Sequence, residues 1–241
     1  MKRQILGGIL ATGLTCVGWA GPSDYVYVPT VEYGERELDF KYGSASAGGP
    51  DEHAASLGFG LGATRWWFTE LYIKYKREEG RTFLDAFEWE NKFQLTETGK
   101  YPVDVGWLVE LERPQDRDEG YELKLGPLFQ TEFGRLQLNT NILLERVFDS
   151  LGSNGTSLGY QWQAKYRWRE ALEFGAQGFG EMGDWTHWAP ADEQNHRLGP
   201  AVFGKIALGG RQAIRYNAAL LMGLGKGAPD RTLRLQVEYE F

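Results

Sequence analysis

The residues of this chain that could perform acid–base or nucleophilic chemistry are few and widely separated. The only histidines are His53, His187 and His196. A serine nucleophile needs a histidine within hydrogen-bond reach, and Ser56 is the serine nearest to His53 in the sequence. Residues three apart in a strand point to opposite faces of the sheet. The sequence therefore predicts no catalytic site, and we expect no enzyme.

Two pairs of acidic residues, Glu88 with Glu90 and Glu110 with Glu112, are each two positions apart. In an extended strand both members of such a pair share one face. Paired carboxylates can exchange protons with a substrate, but neighbouring carboxylates are also common on polar strand faces that perform no chemistry. The second interpretation is the one that we carry forward.

A third group of candidates lies between Gly183 and Asn195, in the longest predicted connection. It contains Asp184, Trp185, His187 and Trp188. Imidazole and carboxylate groups together could bind a divalent metal, but their spacing matches no compact ligand motif. The sequence thus predicts neither a metal nor a cofactor, and it makes this connection the best candidate for recognition of a ligand or partner.

The elements that carry these residues alternate apolar and polar side chains. From Leu158 to Trp168, every even position holds an aliphatic or aromatic residue. The odd positions between them include the polar residues Gln161, Gln163 and Lys165. Period-two alternation predicts half-buried β-strands rather than helices. The same pattern recurs in twelve segments: 36–44, 53–62, 66–77, 87–95, 103–112, 120–131, 135–147, 158–168, 172–182, 196–208, 211–224 and 231–241.

The first twenty residues have the character of a secretory signal. Lys2 and Arg3 precede an apolar stretch over 5–17, and Gly18 and Ala20 supply small residues for cleavage. Cleavage after Ala20 would leave 221 residues with no cysteine, 24 basic and 33 acidic residues. An excess of acidic charge excludes a basic groove for nucleic acid, so we expect no nucleic-acid partner.

The carboxy-terminus completes the pattern. Residues 233–241 read Leu-Arg-Leu-Gln-Val-Glu-Tyr-Glu-Phe, alternating strictly and ending on an aromatic residue. This run resembles the closing strand of bacterial outer-membrane β-barrel proteins. The resemblance implies that Tyr239 and Phe241 form the signal read by the barrel-assembly machinery, and that lipid of a Gram-negative outer membrane surrounds the protein.

The predicted fold is all-β, an antiparallel transmembrane up-and-down β-barrel of twelve strands. An even strand number brings both chain ends to the same, periplasmic side. The predicted organisation is a signal peptide over 1–20, a periplasmic amino-terminal lead-in over 21–34 and the barrel over 35–241. The sequence does not predict an oligomeric state.

If the apolar face meets lipid, the polar face lines the lumen. This inward set has 14 acidic and 10 basic residues. Twelve strands lie between barrels filled by side chains and barrels that hold water, so two functions stay open: a narrow channel for small solutes with a weak cation preference, or a closed structural or surface-binding barrel. The candidate lumen-lining residues are Glu88, Glu90, Lys92, Asp104, Glu110, Glu112, Glu122, Lys124, Lys165, Arg167, Arg215, Arg234 and Glu238.

Overall fold

The computed structural model describes residues 21–78, 80–152 and 154–241. They form one closed barrel in which every strand pairs antiparallel with its neighbours in sequence, and the first strand pairs with the last. Closure leaves no strand edge with unpaired backbone groups, which is the condition for a sheet to span a membrane. The predicted antiparallel barrel of twelve strands is therefore confirmed.

The strands are long and their connections are mostly short. A 3-10 turn, Arg117–Glu119, lies in the connection between the fifth and sixth strands. The strands are β1 Arg36–Ser46, β2 Glu52–Gly62, β3 Trp67–Glu78, β4 Arg81–Gln94, β5 Asp104–Pro114, β6 Tyr121–Phe133, β7 Leu136–Phe148, β8 Thr156–Arg169, β9 Leu172–Asp184, β10 Asn195–Gly209, β11 Gln212–Gly223 and β12 Arg231–Glu240.

We call the end of the barrel where β1 begins and β12 finishes the near end, and the opposite end the far end. The longest far-end connection joins β9 to β10, and most near-end connections are two to four residues long. The predicted signal peptide over 1–20 lies outside the described residues. Within the described part of the chain, no helix has the length and apolar character needed to cross a membrane.

Alternation of side chains gives the wall two different surfaces. In β3, Leu71 is 62% exposed on the outside, whereas its neighbours Glu70 and Tyr72 are 1% and 2% exposed on the inside. Large apolar side chains such as Trp89 and Ile142 are exposed on other strands in the same way. Such an apolar outer surface suits contact with lipid tails rather than with water.

Replacing Leu71 by Arg should destabilise the barrel by about 2–4 kcal/mol in a bilayer, because a charge would face lipid near the middle of a strand. Unfolding by denaturant in lipid vesicles measures this loss. The same change at Tyr75, nearer to the far end of β3, should cost only about 0–1 kcal/mol. Equal losses at the two positions would mean that depth in the membrane does not govern the effect.

Candidate functional site

The amino-terminal segment lies inside the barrel. We call residues 21–31 the inner segment. Tyr25 and Tyr27 are 9% and 4% exposed, and their hydroxyls donate hydrogen bonds of 2.5 Å to Glu90 and 2.7 Å to Glu110 on the wall. The predicted lead-in thus differs from the structure, in which these residues occupy the lumen. The feature of the sequence that could have indicated a buried segment is the alternating run Tyr-Val-Tyr-Val over 25–28. This run lies between two prolines and is too short to pair as a strand.

Glycines on the inner face make room for this segment. A methyl group added at Gly43, the eighth residue of β1, would lie 2.0 Å from the carbonyl oxygen of Pro22. One at Gly106 would lie 2.9 Å from Pro29 Cα, and one at Gly62 would lie 1.9 Å from the carbonyl oxygen of Glu32, the residue that follows the segment. Because Gly62 ends β2 at the near end, the segment runs from the far half of the lumen to the near mouth.

Few backbone hydrogen bonds tie the inner segment to the wall. The backbone N–H of Val31 donates to Oε1 of Gln94 at 2.7 Å, and Nδ2 of Asn141 donates to the carbonyl oxygen of Tyr27 at 3.1 Å. Among the described residues, positions 22–31 make no backbone-to-backbone hydrogen bond with a strand. The segment can therefore leave the lumen without breaking a strand pair.

One half of the wall is charged. The strand register and burial place the thirteen candidate lumen-lining residues on the inner face, most of them on β4, β5, β6 and β12. Asp104 is distinct, because its Oδ1 accepts a hydrogen bond of 2.8 Å from the backbone N–H of Gly99 and so holds a near-end turn. The others face the lumen or its mouth.

Lysines hold part of this acidic charge. Lys74 bridges Glu88, at 3.0 Å, and Glu112. Lys124 lies 2.8 Å from Oε1 of Glu110 and 3.8 Å from Oε2 of Glu145. Buried charges are tolerated when such pairs also satisfy their hydrogen-bonding groups. Further inward pairs are Lys165 with Glu173, Lys205 with Glu240, Arg215 with Glu240 and Arg197 with Glu181.

Hydrogen bonds do not satisfy all of the buried carboxylate oxygens. One buried oxygen of each of Asp39, Glu70 and Glu90 has no hydrogen-bond partner among the described residues, although the ammonium group of Lys92 lies 3.8 Å from that oxygen of Glu90. Lys41 lies 3.5 Å from Oδ2 of Asp39, and its ammonium group is 3.6 Å from the ring centres of both Tyr25 and Tyr72. Cation–π contacts thus hold this lysine between the inner segment and the wall.

The register sets acidic residues directly opposite one another. Glu70 pairs with Glu90, which in turn pairs with Glu110. A second row is formed by Glu88, Glu112 and Glu122. Like charges at directly opposed positions destabilise a sheet, so this arrangement is not what packing alone would favour. It gives the lumen two acidic rows, each with a lysine paired to its carboxylates: Lys124 to the first and Lys74 to the second.

The inner face of β6, β7, β8 and β9 also carries a row of uncharged polar side chains. Amide side chains form a continuous hydrogen-bonded ladder in which each donor–acceptor distance is 2.9–3.1 Å. Asn139 donates to Gln130, Gln163 to Asn139 and Gln177 to Gln163. Arg234 donates to Gln177 at 2.5 Å at the end of the ladder. Sequence analysis did not single out these amides, because an uncharged polar residue is ordinary at any inward position.

A cavity of about 660 Å³ opens beside the inner segment at the near end. Its lining combines Phe68 and Phe203 with charged residues, among them Glu37, Lys92 and Glu238. Carboxylate oxygens of Glu35, Glu37 and Glu240 lie within 4.8 Å of one another at this mouth. Burial raises the pKa of Glu35, which precedes β1, so this carboxyl takes up a proton more readily and relieves repulsion in the group.

In a second group of three carboxylates, Glu88, Glu110 and Glu112, one oxygen of each also lies within 4.8 Å of the others. Each of these three groups is within 3.0 Å of a lysine ammonium. An ion there would have to displace those ammonium groups. The geometry therefore does not favour a resident metal in this group.

The far-end residues Asp184, Trp185, His187 and Trp188 build a tight turn. Oδ1 of Asp184 accepts hydrogen bonds from the backbone N–H groups of Thr186, at 2.8 Å, and His187, at 3.0 Å. Trp185 and Trp188 are exposed. The connection also touches the one between β11 and β12, where the N–H of Gly227 donates to the carbonyl oxygen of Asp192 at 3.1 Å. The turn is thus a surface feature of the far end.

Two histidines pair with tyrosines on the outer surface instead of with serine. Nδ1 of His53 is 3.0 Å from the hydroxyl of Tyr42, and Nδ1 of His196 is 3.0 Å from that of Tyr160. Ser56 is buried on the other face of β2. His53 and Ser56 therefore do not form a catalytic pair.

At the near end, the chain finishes outside the wall. The backbone N–H of Phe241 donates to the carbonyl oxygen of Arg36 at 2.9 Å, which extends the seam between β12 and β1. The rings of Tyr239 and Phe241 stack with centres 5.5 Å apart. Phe241 is 37% exposed, so its ring is accessible from the lipid side.

Comparison with known proteins was made by sequence and by structure. No protein-family model matches the sequence, and no curated protein is similar to it. Among solved structures, the COG4313 outer membrane channel from Pseudomonas putida F1 is similar, with a TM-score of 0.57, 14% identity, and coverage of 92% of this chain and 98% of that one.

Two porins are similar at the same level. The KdgM porin in complex with disordered oligogalacturonate has a TM-score of 0.56, 7% identity, and coverage of 85% of this chain and 98% of that one. The NanC porin has a TM-score of 0.56, 9% identity, and coverage of 86% and 98%. At such low identity these similarities establish the fold alone, which is that of outer-membrane barrels.

Proposed function

We propose that this protein is an outer-membrane channel for small solutes, with a weak preference for cations and with the inner segment restricting its lumen. The near end, where β1 begins and β12 finishes, would face the periplasm, and the far end would lie outside the cell. The observation that carries this proposal is the pair of acidic rows. A barrel that served only as a closed structure would be more stable with opposite charges at paired positions.

The candidate pathway combines the acidic rows with the near-end cavity. Rings or rows of carboxylates concentrate cations in a pore, and the lysines paired with the rows keep that preference weak. The similar KdgM porin was solved with oligogalacturonate, which is a polyanion. The acidic surplus of this lumen does not favour such a solute, so small cations and neutral solutes are the expected substrates.

The remaining sequence predictions belong to this proposal. A signal peptide over 1–20 would direct export, the assembly machinery would read Tyr239 and Phe241, and lipid would surround the barrel. Asp184, Trp185, His187 and Trp188 would meet solutes or partners at the outer mouth. No catalytic role and no cofactor are proposed.

Reversal-potential measurements in planar bilayers test the selectivity. Under a salt gradient, we expect a cation-to-anion permeability ratio of about 3, since the pore has surplus acidic charge but also carries lysines. Replacing Glu110 and Glu112 together by Gln should bring this ratio to about 1 or below, because the charges of Lys74 and Lys124 lose their nearest carboxylates.

The matched control removes two acidic charges outside the lumen, at Glu97 and Glu119, which are exposed in connections. This control should keep the selectivity of the unmodified protein. Anion selectivity in the unmodified channel, or an equal change in both double variants, would contradict the role given to the acidic rows.

A further inference from the structure

The outer surface near the far end carries an arc of arginines on alternate strands. Arg77, Arg113 and Arg146 each lie within the last three residues of β3, β5 and β7. All three side chains are exposed. Adjacent strands are ~4.8 Å apart, so arginines on alternate strands are ~10 Å apart along the wall. The three positions together follow the far rim for ~20 Å.

Within the part of the chain that the structure describes, these arginines make no ion pair. None of the three guanidinium groups lies within 4.0 Å of a carboxylate among the described residues. The outward-facing positions of β3, β5 and β7 hold no aspartate or glutamate at all. Other outward charges on these strands are absent as well, so the arc is a concentration of one sign of charge on an otherwise apolar surface.

Aromatic side chains hold two of the arginines in place. The guanidinium of Arg113 lies 4.6 Å from the ring centre of Tyr121 and hydrogen-bonds to its hydroxyl. That of Arg146 lies 6.0 Å from the ring of Phe148 and donates 3.0 Å to Oγ1 of Thr156. Tyr121 and Phe148 are themselves paired across β6 and β7. Aromatic rings at the end of a membrane-spanning strand suit the headgroup layer of a membrane.

We propose that the arc of Arg77, Arg113 and Arg146 binds the phosphate groups of lipid headgroups in the membrane leaflet at the far end. The planar guanidinium group matches a phosphate in a two-pronged arrangement. A lipid with two phosphate groups could engage neighbouring arginines of the arc together. The occupant is a lipid rather than a soluble anion because the arginines border the apolar band of the wall.

Native mass spectrometry of the full-length folded protein in neutral detergent tests this proposal. The probe is a diglucosamine lipid with two phosphate groups, compared with the same lipid after removal of one phosphate. We expect tighter binding of the doubly phosphorylated form. Changing all three arginines to Gln should weaken that binding by about tenfold or more, since each arginine contributes to attraction of an anionic headgroup.

The control variant changes Arg36, Arg135 and Arg169 to Gln, three exposed arginines at the near end. It loses the same charge, and we expect its affinity for the lipid to stay within about twofold of the unmodified protein. A triple change of the arc to Lys should bind at an intermediate level, because it keeps charge but loses the two-pronged contact.

Equal weakening by the arc and control variants would overturn the proposal, as would equal binding of the two lipids. Retained binding after loss of the arc would overturn it too. Heat-modifiable migration on gels checks that each variant is folded. The lipid measurement does not depend on conductance, so a failed channel proposal and a failed lipid site give different results.

Discussion

A chain lacking residues 22–31 should form channels that conduct at least about threefold more current than those of the full-length protein, since a twelve-stranded barrel without contents has room for water. In the structure, Tyr25 and Tyr27 fill the lumen and bind Glu90 and Glu110. The segment is not part of the sheet, so we expect its loss to leave the barrel folded. Single-channel recording in planar bilayers provides the measurement.

A reducible disulfide between the inner segment and the wall tests whether the segment itself blocks the lumen or whether the deletion acts indirectly. A Cβ placed at Gly106 lies 2.9 Å from Cβ of Pro29, and a small shift gives the ~3.8 Å separation found in disulfides. The variant P29C with G106C should conduct little when oxidised and show additional open events when reduced. If the deletion leaves conductance unchanged, the inner segment does not limit the pore.

Replacing Phe241 by Lys, or deleting it, should reduce the protein in the outer membrane to background. The ring of Phe241 lies on the lipid side, and its backbone extends the seam between β12 and β1. A lysine there removes the aromatic group proposed as the assembly signal and places a charge beside lipid. The measurement is the amount of heat-modifiable protein recovered from outer-membrane fractions.

Phe133 supplies the matched control. It is an exposed phenylalanine at the near end of β6, and its change to Lys alters the same side-chain type in a similar position. That variant should insert normally. Normal levels of both Phe241 variants would refute the terminal signal, and loss of the Phe133 variant alone would point to surface charge as the cause.

The two faces of the wall could be predicted from the sequence because alternation is a local property. The alternating runs, such as those over 158–168 and 87–95, indicate which residues face inward. The number of such runs along the chain predicts the number of strands in the barrel. Pairing partners could not be predicted in this way. Lys74 bridges Glu88 and Glu112 on two other strands, and this depends on the register of three strands and on a bulge between Lys74 and Tyr75.

The position of the inner segment was also beyond local reasoning. Its burial depends on spaces left by Gly43 on β1 and Gly106 on β5, two strands that are far apart in the sequence. It depends equally on carboxylates that accept hydrogen bonds from Tyr25 and Tyr27. Only the assembled barrel brings these groups around one short stretch of chain, so the same residues read as a lead-in from the sequence.

The location of Pro22 beside Gly43 has a practical consequence for labelling and secretion. With cleavage after Ala20, as predicted, the free amino group of the secreted chain would lie within the barrel rather than in the periplasm. A folded fluorescent or affinity domain fused ahead of Gly21 would be too wide to enter the lumen. It would therefore keep the attached inner segment outside the barrel. Measurements on such fusions would therefore describe a barrel whose lumen lacks the inner segment. A small label at the tip of a far-end connection would leave the inner segment in place.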